Sequence, residues 1–485
     1  MITFNQNELD GRTRFSRTIG LSSGKFETLQ TTSRTGQPIA ALEHTGLATV
    51  TLITASAAIS GLLFGYDTAV VNGALVFLRA QFQLTAFQTE LAATSLLWGC
   101  VVGAAIAGYL CDRHGRRRVL MLSGVLFVAS AIGAALPTAS WQFLIARVVG
   151  GVAIGCASLV APLYIAEIAP AAIRGRLISV NQLAIVIGIL VAYVSNYFVA
   201  RLGESSWRWM FGLGAIPAFF LCLALLWIPE SPRWLVQRGR MKAARDVLLR
   251  IAPAGSVDSS LAEIAASLQQ ESITYRELLG PALRRPMVLA IMLCVIQQIT
   301  GINTVLYYGS ILFQEHARQS ANSALALNIL IGLVNLLCTV MALLWIDRFG
   351  RRPLLQVATG GMGISLLVFS IALRWHAEMI TLLMAAVLAY VAFFAVGLGP
   401  GVWVCIAELF PNRARGRAMS VATVVLWVAV SIVTATFLSL IAWMTVAGVF
   451  FFYAILCLAS LVYIRMFLPE TKQKTLEEIE KTWRR

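Results

Sequence analysis

The sequence is poor in charge, in histidine and in clustered metal ligands. Charged residues make up 13% of the chain and apolar residues 58%, proportions that do not suit a surface solvated by water. The eight cysteines fall in or beside apolar runs without close metal-ligand spacing, and the four histidines lie in loops or at the ends of those runs. We therefore predict no disulfide, no metal site, no cofactor and no enzymatic activity.

Long apolar runs are what the sequence has instead. A run of roughly 20 residues is long enough to cross the hydrocarbon core of a bilayer. The sequence therefore predicts an all-α integral membrane protein surrounded by lipid. Its twelve transmembrane helices are predicted at 46-73, 91-111, 119-137, 141-165, 177-200, 209-228, 286-312, 323-346, 354-373, 380-405, 417-441 and 446-467.

The distribution of basic residues accounts for the net charge of +15 without a nucleic-acid partner. If the N-terminus is cytoplasmic, Arg147 alone lies inside a run and only five of the 38 basic residues lie on the outer side. This positive-inside pattern predicts that both termini are cytoplasmic. Short outer loops and the lack of an Asn-X-Ser/Thr acceptor favour a bacterial inner membrane. Residues 1-45 lack a signal-peptide pattern, and we predict a disordered cytoplasmic arm.

Three landmarks repeat along the chain and divide it into halves. Residues 112–117 (DRHGRR) recur as 347–352 (DRFGRR) at an offset of 235, 167–176 recur as 408–417 at 241, and 229–231 recur as 469–471 at 240. Nearly equal offsets predict two parallel six-helix halves, 46-228 and 286-467. A cytoplasmic linker with amphipathic helices, 229-285, joins them, and a cytoplasmic tail, 468-485, follows. Such repeats place a substrate site at the midplane between the halves, which favours transport over catalysis.

The charged residues at these landmarks are gating candidates. In one copy they would be ordinary topogenic charge, but two equivalent copies favour a specific role. Acids facing arginines at helix ends are expected to hold the halves together when the carrier faces outward and to separate when it faces inward. The candidates are Asp112, Arg113, Arg116, Glu167, Arg174, Arg176, Glu230, Arg233, Asp347, Arg348, Arg351, Glu408, Arg415, Arg417 and Glu470.

Two charged residues inside apolar runs form a second candidate site. Asp67 and Arg147 lie at similar depth in the outer half of the first and fourth predicted helices. An unpaired charge at the bilayer centre costs about 2.5 to 3.5 kcal/mol on insertion scales, so both side chains are expected to face an interior cavity. From polarity alone, a static ion pair and a proton relay are equally good interpretations.

Several motifs resemble the sugar porter family of the major facilitator superfamily, which includes bacterial xylose/proton symporters and human facilitative glucose transporters. The resemblance covers about residues 46–472 and rests on GYDT at 65–68, PESPRWL at 229–235, QQ at 297–298, GIN at 301–303, YY at 307–308 and PETK at 469–472. It implies the superfamily fold and alternating-access transport of a monosaccharide or polyol by a functional monomer. It also implies proton symport, because the family's symporters carry Asp at the Asp67 position and Arg at the Arg147 position, whereas the facilitative transporters carry Asn in place of that Asp.

Polar side chains of the seventh run suit a sugar, which presents hydroxyls around an apolar ring face. At about 100° per residue, Gln297, Thr300, Asn303 and Tyr307 share one arc of the helix, and Gln298 lies off it. By resemblance, Gly301 breaks the helix and brings Gln298 inward. The resemblance also implies sugar contacts from Gln182, Gln297, Gln298, Asn303, Asn335 and Trp403.

Aromatic rings complete the predicted substrate site. Candidates for stacking on the sugar or closing its exit are Phe64, Tyr307, Trp403 and Trp427, although buried aromatics more often pack a core. Leu426 stands where relatives often carry Asn or Gln, which leaves pentose, hexose and inositol as candidate substrates. A proton-independent uniporter and a non-transporting sugar sensor are the alternative functions.

Overall fold

The structure is a computed structural model that describes residues 44–169, 173–251, 254–269, 274–315, 321–375, 379–410, 412–470 and 472. Residues 1–43 lie outside this part, and so does nearly all of the predicted arm at 1-45. The tail is described only through residue 470 and at Lys472. Within the described residues the chain contains helices and no strand.

The described residues form nineteen α-helices. In chain order they are α1 His44–Phe82, α2 Ala86–His114, α3 Arg116–Ala135, α4 Ser140–Ile168, α5 Arg174–Val199, α6 Ser206–Gly212, α7 Ala215–Trp227, α8 Pro232–Gln237, α9 Met241–Ile251, α10 Val257–Gln269, α11 Tyr275–Leu278, α12 Pro281–Ile299, α13 Ile302–Glu315, α14 Ala321–Phe349, α15 Arg351–Trp375, α16 Ile380–Val396, α17 Leu398–Leu409, α18 Asn412–Ala435 and α19 Phe437–Phe467.

Twelve spans built from these helices are long and apolar enough to cross a membrane. Eight are single helices, one is α5 with the 3₁₀ turn Ala200–Leu202 that follows it, and three are helix pairs: α6 with α7, α12 with α13 and α16 with α17. The predicted all-α, twelve-helix, multi-pass architecture is therefore confirmed within the described residues.

A break at Thr436 separates α18, which ends at Ala435, from α19, which begins at Phe437. The sequence places the last two spans at 417-441 and 446-467, and hydropathy does not locate this break because the sequence is apolar on both sides of it. Helix α19 itself consists of two helical segments that meet at Thr445, whose backbone is non-helical with φ 68°. The second segment begins where the sequence predicts the start of the last span.

Glycines bring α2 and α4 close together. A Cβ on Gly99 or Gly103 would lie 2.2 or 2.3 Å from a carbonyl oxygen of α4, and a Cβ on Gly151 or Gly155 would lie 1.9 or 2.3 Å from one of α2. Small residues four apart on facing helices allow this backbone approach inside a membrane. The contact holds α4, and with it Arg147, against the neighbouring helices of its half.

The linker helices define the two sides of the molecule. Helices α1–α7 form the N-terminal half, α12–α19 form the C-terminal half, and α8–α11 lie between them in sequence. Helix α9 buries Ala244, Val247, Leu248 and Ile251, the spacing of an amphipathic helix. We call the membrane side on which α8–α11 lie the linker side, and the other the opposite side.

Candidate functional site

An ion pair joins α1 to α4 in the interior. Arg147 donates from Nη1 to Asp67 Oδ1 at 2.8 Å and from Nη2 to the Asp67 backbone oxygen at 2.7 Å. The Arg147 guanidinium also lies 5.0 Å from the centre of the Phe211 ring. The sequence placed the two charges at one depth, and the structure brings them into direct contact.

The two partners differ in their access to solvent. The Arg147 side chain is fully buried, whereas 14% of the Asp67 side chain is accessible. Among the described residues no donor forms a hydrogen bond to Asp67 Oδ2. This oxygen is therefore the atom of the pair that is available to receive a proton, and Arg147 keeps a second contact, to the Asp67 backbone, that does not depend on the carboxylate charge.

The seventh span breaks beside the predicted sugar contacts. Helix α12 ends at Ile299, α13 begins at Ile302, and Gly301 between them adopts φ 84°, a conformation that suits glycine. Tyr390 donates from its hydroxyl to the Thr300 backbone oxygen at 2.8 Å. That carbonyl lies at the interruption of the helix, so Tyr390 satisfies a group that the break exposes.

The break places three predicted amides in one chain of hydrogen bonds. Asn303 donates to Gln298 Oε1 at 2.6 Å, and Gln298 donates to Gln297 Oε1 at 3.3 Å. Gln297 in turn donates to the backbone oxygens of Leu398 at 2.6 Å and Gly399 at 3.2 Å. Although Gln298 lies off the arc of an ideal helix, it joins the amides that the sequence grouped. Gln297 is anchored to the start of α17.

Two further predicted amides lie on α5 and α14. Gln182 is half-buried and Asn335 is buried. Neither side chain forms a hydrogen bond with another described residue. Unlike Gln297, both amides keep their full donor and acceptor capacity.

The predicted aromatic residues include one contact between the halves. The rings of Phe64 on α1 and Trp427 on α18 lie 5.4 Å apart. Trp427 is buried, and among the described residues its Nε1 has no hydrogen-bond partner. Tyr307 is buried on α13, and Trp403 is half-buried on α17. The unpartnered indole N–H is available to a ligand hydroxyl.

On the linker side, the two halves carry matching charge clusters. Glu230 accepts from the backbone N–H groups of Arg116 at 2.8 Å and Arg117 at 3.1 Å. The Arg116 side chain donates to Glu167 at 2.8 Å, and Glu167 also accepts from the Ser231 hydroxyl. The Glu230 carboxylate thus caps the start of α3, where the helix dipole favours negative charge.

The cluster of the C-terminal half repeats this pattern. Glu470 accepts from the backbone N–H groups of Arg351 at 3.1 Å and Arg352 at 3.0 Å. The Arg351 side chain donates to Glu408 at 2.9 Å. Both ends of each of these contacts lie in the C-terminal part of the chain, just as the contacts of the first cluster lie in the N-terminal part.

The other gating candidates lie around these clusters. Asp112 is 69% exposed and 4.0 Å from Arg116, and Arg174 reaches the Ala169 backbone oxygen at 3.4 Å. Arg113 donates to the Tyr109 hydroxyl at 2.7 Å, and the guanidinium groups of Arg348 and Arg417 lie over the rings of Phe349 and Tyr275. Arg176 and Arg233 are exposed, Arg415 Nε is buried and unpartnered among the described residues, and the side chain of Asp347 lies outside the described part.

On the opposite side, buried polar residues that the sequence reasoning missed join the halves. Glu90 on α2 accepts from the backbone N–H of Ser439 at 2.7 Å and from its hydroxyl at 2.8 Å. Asn72 on α1 exchanges hydrogen bonds with α13 and with Asn328 on α14. Glu90 fell just outside the run predicted at 91-111. An acid at the edge of an apolar run was the signal that could have found it.

Known proteins with similar sequences are membrane transporters. Residues 53–483 match the model of a family described as "Sugar (and other) transporter". A D-xylose transporter of Levilactobacillus brevis is 39% identical over 432 residues, which cover 88% of this chain and 94% of that protein. A D-xylose-proton symporter of Escherichia coli strain K12 is 37% identical over 471 residues, covering 89% and 95%.

The similarity extends to solved structures. The partially occluded inward open conformation of the xylose transporter XylE from E. coli superposes with a TM-score of 0.79 at 34% identity. The match covers 88% of this chain and 100% of that structure.

Proposed function

The chain belongs to the sugar transporter family of the major facilitator superfamily, and on that premise we propose that it is a monosaccharide or polyol:proton symporter working by alternating access. It is a membrane transporter and not an enzyme, as the sequence predicted. The observation that carries the proton assignment is the buried Asp67–Arg147 pair, in which one carboxylate oxygen stays open to protonation.

The same proposal gives the protein a place and an orientation. The linker side is cytoplasmic, because the basic residues concentrate there, and both termini then lie in the cytoplasm. A bacterial inner membrane fits the bacterial relatives, and the lipid bilayer is the partner of the exposed apolar helix faces. We further propose that the functional unit is a monomer.

Asp67 is the proposed proton carrier and Arg147 its partner. Binding of a proton at Asp67 Oδ2 neutralises the carboxylate and weakens its attraction to Arg147. Breaking a buried ion pair by removing one charge costs about 3 to 5 kcal/mol, so the two protonation states favour different arrangements of α1 and α4. The hydrogen bond from Arg147 to the Asp67 backbone oxygen does not depend on the carboxylate charge.

The proposed sugar site lies between the halves near the helix break. Gln182 and Asn335 offer amides that no described residue occupies, and Trp427 offers a free N–H. Gln298 and Asn303 are oriented by the chain that Gln297 anchors. Phe64, Tyr307, Trp403 and Trp427 supply apolar surface for the ring face of the sugar.

The arrangement of contacts supports an inward-facing state. Hydrogen bonds between the halves lie on the opposite side, which is the outer side under this proposal. In the charge clusters of the linker side, the ion pairs Arg116–Glu167 and Arg351–Glu408 each join two residues of the same half. We assign the predicted gating residues to these clusters, which join the halves when the carrier faces outward.

Uptake of labelled sugars into proteoliposomes tests the coupling. We would compare pentoses, hexoses and inositol with and without an imposed proton gradient, for the native chain and for Asp67→Asn. The expected result is gradient-driven accumulation that a protonophore abolishes. Asp67→Asn should lose accumulation and keep exchange between labelled and unlabelled sugar.

Two outcomes would overturn parts of the proposal. Equilibration that does not respond to the gradient would make the protein a uniporter and leave Asp67–Arg147 as a static pair. Binding without any transport would instead indicate a sugar sensor.

A further inference from the structure

A cluster of buried side chains connects α1 with α13 and α14. The amide of Asn72 donates to the Leu306 backbone oxygen at 2.7 Å and exchanges bonds of 3.3 and 3.2 Å with the amide of Asn328. Its oxygen also accepts from the backbone N–H of Ser310 at 2.9 Å and from the Ser310 hydroxyl. Asn72, Ser310 and Asn328 are each at most 1% exposed. The cluster therefore satisfies every polar group of the Asn72 amide inside the protein.

Asn72 bonds the two backbone groups of α13 that pair with each other in a regular helix. Ser310 N–H and Leu306 C=O are four residues apart, the spacing of an α-helical hydrogen bond. The Leu306 oxygen accepts from the Tyr193 hydroxyl at 3.0 Å as well as from Asn72, so its two lone pairs have partners on the other half. The local stability of α13 thus depends on side chains of α1 and α5.

Gly309 provides the space for this cluster. A Cβ at Gly309 would lie 2.6 Å from Asn328 Oδ1 and 3.1 Å from Asn72 Nδ2. The first distance is too short for any side chain, and both atoms belong to amides that the cluster holds in place. The cluster therefore requires a glycine at this position of α13.

Helix α1 carries both the proton site and the cluster. It is continuous from His44 to Phe82, and Asn72 follows Asp67 by five residues, about 7.5 Å along the axis and about 140° around it. Asp67 thus faces α4 while Asn72 faces α13. On the other side of the contact, the break at Gly301 separates α13 from α12, so the two helices are not held as one rigid rod.

We propose that Asn72 is a positioning residue that couples the protonation state of Asp67 to the closure of α13 over the sugar site. The proposal rests on the proposed symport. When Asp67 gains or loses its proton and α1 shifts against α4, Asn72 moves with α1 and pulls the Leu306–Ser310 turn of α13. The sugar contacts Asn303 and Tyr307 lie on the same helix, so the proton state reaches the sugar site through this turn.

Asn72→Ala and Gly309→Ala test the coupling in proteoliposomes. Both are measured for sugar accumulation under an imposed proton gradient, for sugar exchange without a gradient and for protons taken up per sugar. Several hydrogen bonds of ordinary strength are lost, so we expect accumulation to fall by about tenfold while exchange stays within about twofold of the native rate. The number of protons per sugar should fall in both variants. Gly309→Ala retains every polar group and supplies the test if Asn72→Ala does not fold.

Asn196→Ala is the matched control. Asn196 is a fully buried amide that donates to the Val70 backbone oxygen on α1 at 3.1 Å, entirely within the N-terminal half. Its loss should leave the number of protons per sugar unchanged. An unchanged ratio in Asn72→Ala and Gly309→Ala, or an equal loss of accumulation and exchange in both, would overturn the role of Asn72. A native protein that does not couple sugar to protons would overturn the proposed symport instead.

Discussion

The two sides of the molecule hold their helices by different chemistry. On the linker side, arginines and carboxylates pair within each half, and several of their neighbours are exposed. On the opposite side, Asn72 and Glu90 cross between the halves and are buried. Exposed linker-side charges such as Asp112 keep water as a partner, whereas a buried polar group that loses its partner is left unsatisfied. On the opposite side, the two halves can therefore close only in the arrangement that satisfies Asn72 and Glu90.

The largest effect is expected from removing a buried charge of the linker side. Arg116→Ala leaves Glu167, whose side chain is 6% exposed, without its ion-pair partner. The expected cost is about 3 to 5 kcal/mol, because the remaining charge stays buried. The equivalent change in the other half, Arg351→Ala, should cost less, about 1 to 3 kcal/mol, because Glu408 is 28% exposed. Thermal unfolding of the purified protein should show the larger decrease in midpoint for Arg116→Ala.

Glu167→Gln supplies the control for that comparison. Combined with Arg116→Ala, it removes the unpaired charge and should recover part of the lost stability, which a double-mutant cycle measures. Equal decreases for Arg116→Ala and Arg351→Ala would contradict the claim that burial separates the two clusters.

A smaller effect is expected on the opposite side from Glu90→Gln. The amide keeps the shape of the side chain but gives up the charge that strengthens its bonds to Ser439, a loss of about 1 kcal/mol. The population open on the opposite side should rise about fivefold. Spin labels at the exposed positions Phe87 on α2 and Trp443 on α19 would report this as a larger fraction of long distances between the halves.

Glu204→Gln is the control for Glu90→Gln, because Glu204 is an exposed acid on the same side. It should leave the distance distribution unchanged. If both changes shift the distances equally, net charge and not the Glu90–Ser439 contact sets the closure.

Features that the sequence predicts well are those visible in one residue or one run. Asp67 and Arg147 stand out because a charge inside an apolar run has few benign explanations, and the repeated motifs locate both linker-side clusters. Asn72 and Asn328 do not stand out, because single amides are common in membrane helices and their partners lie far apart in the chain. The contact of Gln298 with Asn303 depends on the break at Gly301, which reorients α13 relative to α12. The break between α18 and α19 at Thr436 lies in continuous apolar sequence, so hydropathy does not locate it.

The smallest effect is expected from an exposed ion pair of the linker, which defines the lower limit of the comparison. Arg245 and Asp258 lie 3.2 Å apart, but their side chains are 52% and 79% exposed. Water and salt screen such a pair, and its removal by Arg245→Ala should change stability by about 0.5 kcal/mol or less. Thermal unfolding at low and high salt should give nearly the same midpoint for the native chain and the variant. A decrease in midpoint as large as that of Arg351→Ala would mean that charge, and not the buried apolar face of α9, holds α9 and α10 together. The linker would then be stabilised by the same kind of interaction as the charge clusters beside it.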